Sequence, residues 1–224
     1  MKKITVLLLL LFFALTHADN NWVKSYYFSV GFGGAFTQGD LDGNKRISTT
    51  ENGTTEVDIF PNTGFYIIPE LETGANLNQH TVFVDLSYSY PKTSYGLDTE
   101  EADETNTNIF RLGFGYRYNF FWPNLFQPFV GLNYSYMYLN TRNNVYIYTL
   151  EDVSRTNGAV MGNGVALHGG VLYYVEKHIT MQLHARVRAM FFSKFGNDVN
   201  GNRDLGSSLK HFSEELIFKI ACHF

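Results

Sequence analysis

Nine ionisable residues stand inside otherwise oily segments, each one step from an apolar or small neighbour: Glu70, Glu72, Asp85, Arg111, Arg117, Arg186, Arg188, Glu215 and Lys219. Leu71 separates the first two, and Val187 separates Arg186 from Arg188. Five cations against four anions is close to balance. A desolvated, hydrogen-bonded core needs that, because an ion left there without its partner costs roughly 3–5 kcal/mol. The chemistry these residues offer is mutual cohesion, or at most a narrow gated path for a small solute.

A second constellation is polar. Asp40-Leu41-Asp42-Gly43-Asn44-Lys45-Arg46-Ile47-Ser48-Thr49-Thr50-Glu51 has the oxygen spacing of a calcium loop, with Asp40, Asp42, Asn44 and Glu51 as candidate ligands. Lys45 replaces the turn glycine and no helix flanks the segment. Asp198-Val199-Asn200-Gly201-Asn202-Arg203-Asp204 is a related fragment without the closing Glu. Asx-rich turns explain both segments without an ion, so no metal is assigned. Asp98, Glu100, Glu101, Asp103 and Glu104 crowd like charges that stay solvated. The single Cys222 rules out an intrachain disulfide framework and a Cys-based zinc site. His168 and His184 lack a third ligand. No cofactor is expected. A formal charge of −4 with no basic tract gives nucleic acid no electrostatic purchase.

The elements that must carry these residues alternate with period two. From Ile179 to Phe191, Ile179, Met181, Leu183, Ala185, Val187, Ala189 and Phe191 take one face; Thr180, Gln182, His184, Arg186, Arg188 and Met190 take the other. A helix would set Arg186 among apolar neighbours, whereas a strand separates the two sets. The same alternation runs through residues 26–36, 64–72, 81–90, 108–118, 128–139, 165–176 and 215–224, which makes eight strands. Pro69 conflicts with the second, and a bulge or a shifted boundary there is expected. Stretches 37–57, 91–105, 140–157 and 193–207 are long and polar; 73–80, 119–127 and 177–178 are short.

Met1-Lys2-Lys3, the apolar run Ile4–Leu15 and Thr16-His17-Ala18 form the three parts of a secretory signal, residues 1–18. Its removal leaves residues 19–224 with a formal charge of −6. The mean hydropathy of −0.15 is too low for a helical membrane bundle. A closed barrel is the other way to satisfy every backbone group in lipid, and four long loops with three short turns suit an even-stranded one. A soluble ligand-binding barrel would share the period. Against it stand the charged face, aromatic strand ends (Tyr88, Tyr90, Tyr116, Tyr118, Tyr136, Tyr138, Phe191) and a final Phe224. The sequence therefore predicts an all-β fold: an eight-stranded antiparallel transmembrane up-and-down β-barrel.

On these alternations and Phe224, residues 19–224 resemble the small eight-stranded outer-membrane barrels: the opacity-type surface proteins, the outer membrane protein A transmembrane domain and the outer membrane protein W type. The resemblance implies residence in a bacterial outer membrane, with extracellular loops, periplasmic termini and Phe224 as the signal read by the barrel-assembly machinery. Outer-membrane lipid and lipopolysaccharide are then partners, and a host or surface ligand would meet the loops. The expected role is structural or surface-interactive, in adhesion or envelope integrity, on a barrel whose lumen is plugged by charge. A conduit for small or hydrophobic solutes, as in the outer membrane protein W type, is the alternative. His211-Phe212-Ser213 with Glu214 or Glu215 resembles the His-x-Ser pairing of outer-membrane lipid A deacylases. The residues after Ser213 depart from that family's pattern, however, and His211, Ser213 and Glu215 fall on the inward face. A lipid-modifying enzyme is thus the third reading, and no catalytic residue is assigned.

Overall fold

Lipid offers no hydrogen-bond partner to a backbone, so a sheet crosses it only when both edges are closed. The computed structural model describes residues 24–39, 45–50, 53–58, 65–90, 92–94, 104–148, 153–197 and 201–224. Eight long strands form the wall: β1 (Lys24–Gly39), β2 (Phe65–Leu77), β3 (His80–Ser89), β4 (Glu104–Asn119), β5 (Phe126–Tyr148), β6 (Val153–Glu176), β7 (Ile179–Asn197) and β8 (Gly201–His223). Each pairs antiparallel with its neighbour in sequence, and β1 pairs with β8 from Tyr27↔His223 to Gly39↔His211. The Phe224 N–H donates to the Tyr26 carbonyl at 2.8 Å, which extends that closing seam. No helix long and apolar enough to cross a membrane occurs among the described residues.

The two faces are inverted relative to a water-soluble protein. Along β3 every second residue is buried, yet the buried set is Thr81, Phe83, Asp85, Ser87 and Ser89. The exposed set is His80 beside the turn, then Val82, Val84, Leu86 and Tyr88. Around the wall Phe32, Phe114 and Leu132 are 60–65% exposed, while the arginines 111, 117, 186 and 188 are 0–1% exposed. A soluble chain shows the opposite, because apolar surface is what water drives inward. Only an apolar solvent makes this arrangement favourable.

Strand lengths exceed the sequence expectation. Residues 140–148, 153–157, 193–197 and 201–207, expected as loop, continue β5–β8. Backbone pairing needs no oily side chain, so the strands outrun the apolar alternation that reveals them. Register shifts between Thr141 and Val145 and between Phe192 and Lys194 mark where they do so. Loop one holds a small hairpin, Lys45–Thr50 on Gly53–Asp58, and Lys92–Ser94 pairs with Glu104–Asn106 of β4. At the other end the turns shorten: β2 and β3 join through Asn78-Gln79 alone, with Asn78 at φ 60°, a left-handed position asparagine tolerates.

Pro69 forms no bulge. Tyr26 and Phe224 exchange both backbone bonds, so even-numbered β1 residues point their N–H and C=O toward β8. Phe32 is one of these, and its opposite number on β2 is Pro69. The backbone of Pro69 therefore faces β3. There the β2–β3 ladder ends at Glu70↔Ser87, one pair short of Pro69. Above it β2 still pairs with β1 up to Phe65 and β3 with β4 up to Ser89. The missing donor interrupts one seam of the wall and leaves the other intact.

Candidate functional site: the charged lumen

Period two puts all nine ionisable residues inside the barrel, each at most 3% exposed. Strands β2, β3, β4, β7 and β8 supply them, so the contacts run across the lumen. Arg186 grips Glu70 through two nitrogens, Nη2 to Oε1 at 3.0 Å and Nη1 to Oε2 at 2.9 Å. Arg111 bridges the same Glu70 at 2.9 Å and Glu215 at 2.8 Å. Arg188 Nε donates to Glu215 at 3.1 Å, and Ser213 Oγ donates to the same carboxylate oxygen at 3.0 Å. Lys219 joins this cluster to a lower one, with Nζ 2.5 Å from Glu70 Oε1 and also bonded to Glu72. Bidentate guanidinium–carboxylate contacts are the strong, orientation-fixing kind.

The lower cluster centres on Arg117. Its Nη2 donates to Tyr27 Oη at 2.8 Å, and that hydroxyl donates to Glu72 at 2.6 Å. The guanidinium also lies 5.2–5.4 Å from the ring centroids of Tyr27, Phe83 and Phe129, a cation–π cage that replaces part of its lost hydration. The sequence reading missed this cage, although all three rings lie at inward positions.

Asp85 is the exception. Among the described residues it has no ion pair; Asn133 Nδ2 donates to its Oδ2 at 2.5 Å, and Arg188 donates to the Asn133 carbonyl at 3.1 Å. Asp85 thus joins the network at second hand. Gly113 makes room for it, since a Cβ there would stand 2.5–2.6 Å from both carboxylate oxygens.

Toward the loop end the lumen turns apolar. Ala35, Tyr66, Ile68, Ile109, Met137, Leu139, Val160, Met190 and Phe192 form one buried cluster above the ions. This layer was also missed. Its signal was the drift of inward positions from Glu70 back to Ile68 and Tyr66, and from Arg188 on to Met190 and Phe192.

An ion-filled lumen, an oily wall and full closure specify one class of protein. The family model of the outer membrane protein beta-barrel domain matches residues 4–207. The chain belongs to this family. It is an outer-membrane β-barrel protein. Among solved structures, Neisserial surface protein A is similar over 89% of this chain and 97% of its own, with a TM-score of 0.52 at 16% identity. The outer membrane protein OprG from Pseudomonas aeruginosa is similar over 90% and 96%, with a TM-score of 0.53 at 11% identity. At such identities the likeness is one of fold. No curated protein matches the sequence.

Within this outer-membrane barrel the remaining candidates are distributed as follows. His211 and Ser213 are buried at 2% and 1% exposure, and the Ser213 hydroxyl is bonded to Glu215. His168 and His184 stack, with ring centroids 6.1 Å apart, and His184 Nε2 lies 2.9 Å from Gln182 Oε1. Cys222 is a free, outward-facing thiol. Asp40, Asp42, Asn44 and Glu51 lie outside the described residues, as do Asp98, Glu100, Glu101, Asp103 and the segment 1–18. Residues 45–50, the middle of the calcium-like segment, are strand rather than coil.

Proposed function

We propose that this outer-membrane barrel is a non-conducting, non-enzymatic pedestal whose loops face the cell exterior and make surface contacts, in adhesion or in envelope integrity. Its termini then face the periplasm, and Phe224 on the closing seam is what the assembly machinery reads. The observation that carries the reading is the lumen itself: nine buried ions from five strands, tied into one network across the section a solute would need. The hydrolase reading is disfavoured, because Ser213 is committed to Glu215 and both lie inside the wall. In planar bilayers the purified barrel should show no stable conductance steps. Shortening the loops should abolish binding to cells or lipopolysaccharide while leaving the barrel folded. Large, stable steps in the wild type would refute the plug.

One observation favours a second reading. The β2–β3 seam ends at Pro69 beside the apolar layer of Tyr66, Ile68 and Ile109, where an oily solute entering from the loops could part the wall and leave sideways. Those side chains are 0–4% exposed, so passage would require them to move. Uptake of a small alkane by vesicles, abolished by a disulfide between cysteines placed at Ile67 and Tyr90, which the β2–β3 register sets opposite each other, would establish this reading over the first.

A further inference from the structure

One carboxylate faces the wrong way. Glu214 is exposed on the outer wall, between Phe212 and Leu216 on β8 and opposite Phe36 of β1 and Val187 of β7. All four neighbours are apolar, and no hydrogen bond or ion pair to Glu214 occurs among the described residues. The site belongs to the aromatic collar at the loop end of the wall: Phe36 and Phe65 share its register row, Phe212 is one outward position above it, and these with Phe191 are all at least 42% exposed. Glu214 therefore sits at the level where acyl chains begin, beneath the head groups. An ionisable side chain on the lipid face is costly unless something there pairs with it.

The wall around it is grooved. A depression of about 750 Å³ runs across the strands past Glu214, lined by Gly34, Phe65, Leu167, Ala185, Val187 and Leu216. Gly34 shapes its upper end: a Cβ there would stand 2.6 Å from the Phe65 ring, which lies across the backbone and meets Phe36 at 4.9 Å. The groove crosses the strands, as a chain lying along the wall would; His168, Arg186 and Glu215 reach its floor from positions turned into the lumen, and among the side chains turned outward along it Glu214 is the one acceptor.

We propose that this groove is a lipid-binding site that takes one acyl chain of lipid A, with Glu214 accepting a hydrogen bond from the amide N–H or β-hydroxyl near the start of that chain. Those are the donors an outer-leaflet glycolipid carries just below its sugars, whereas an ordinary diacyl phospholipid has only ester carbonyls at that depth. A second copy of the barrel fits worse. Packed groove to groove about a two-fold axis, it would bring two Glu214 carboxylates together in lipid. The proposal rests on the loops facing outward, which protease treatment of whole cells tests separately.

The experiment is native mass spectrometry of the full barrel extracted in mild detergent and supplied with lipid A, phosphatidylethanolamine or phosphatidylglycerol. The wild type should retain lipid A in preference to both phospholipids. Glu214→Leu should reduce retention about tenfold, the scale of one charge-assisted hydrogen bond. Val187→Trp, which fills the groove and leaves the carboxylate in place, should reduce it comparably; both variants change only the outer wall, and the gel shift on heating verifies that they fold. Unchanged lipid A retention in Glu214→Leu, equal retention of phosphatidylethanolamine by the wild type, or a dimer that cross-links through this groove would each overturn the proposal. Conductance and loop-binding results would stand apart from any of these outcomes.

Discussion

Glu70 answers three cations at once, Arg111, Arg186 and Lys219, so its loss leaves the buried cluster one negative charge short, with Glu215 alone facing Arg111, Arg186 and Arg188 and Glu72 alone facing Lys219 and Arg117. Glu70→Ala should cost about 3–5 kcal/mol, read from urea unfolding in phospholipid vesicles by tryptophan fluorescence. Pairing it with Arg186→Met should recover much of that loss, because removing both partners removes the uncompensated charge. Equal losses in the single and double variants would mean that Glu215, which Arg186 also contacts at 3.2 Å, holds Arg186 without Glu70. Steric demand acts at the same scale. Gly113→Ala drives a methyl into the Asp85 carboxylate, which its bond to Asn133 keeps from retreating. A cost of roughly 1–3 kcal/mol is expected by the same unfolding measurement, as for other overpacked interiors.

Among the elements, β2 is the instructive one. Its Pro69 is legible in the sequence as a conflict, but a string of residues does not show which neighbour the missing N–H would have served. The register decides this, through Tyr26 and Phe224 on a different seam. Pro69→Val restores a donor facing Tyr88, so the β2–β3 ladder should lengthen. Hydrogen exchange at Tyr88 and Tyr90 should slow, and the temperature at which the gel band shifts should rise; unchanged exchange would mean that the strands are splayed for another reason. Strand identity was readable because one oily face against lipid forces alternation with period two. Strand length was not, since Val145–Tyr148 and Gly201–Asp204 pair through backbone groups beyond the lipid, where side chains are free to vary. The ions were readable by the same alternation. The cage around Arg117 was not, because Tyr27, Phe83 and Phe129 come from three different strands, and only closure of the ring brings them to one guanidinium.

For the whole molecule, the wall and the lumen respond in opposite senses to the same substitution. Leu132 is 62% exposed near the middle of the wall, flanked by Tyr116 on one side and Leu167 on the other. Leu132→Arg puts a guanidinium into acyl chains with no partner and should cost roughly 2–4 kcal/mol in vesicles. The same change at Leu77, beside the short Asn78-Gln79 turn, lies at the interface and should cost about 0–1 kcal/mol. A water-soluble barrel would give a different pattern: an exposed leucine replaced by arginine would change stability by less than about 0.5 kcal/mol at either position. The depth dependence therefore tests the inverted architecture directly, because water has no midplane. Unfolding midpoints of the two variants in vesicles that agree within error would show that the oily side chains do not face lipid. The lumen would then have to be a surface, and the ion network an accident of packing.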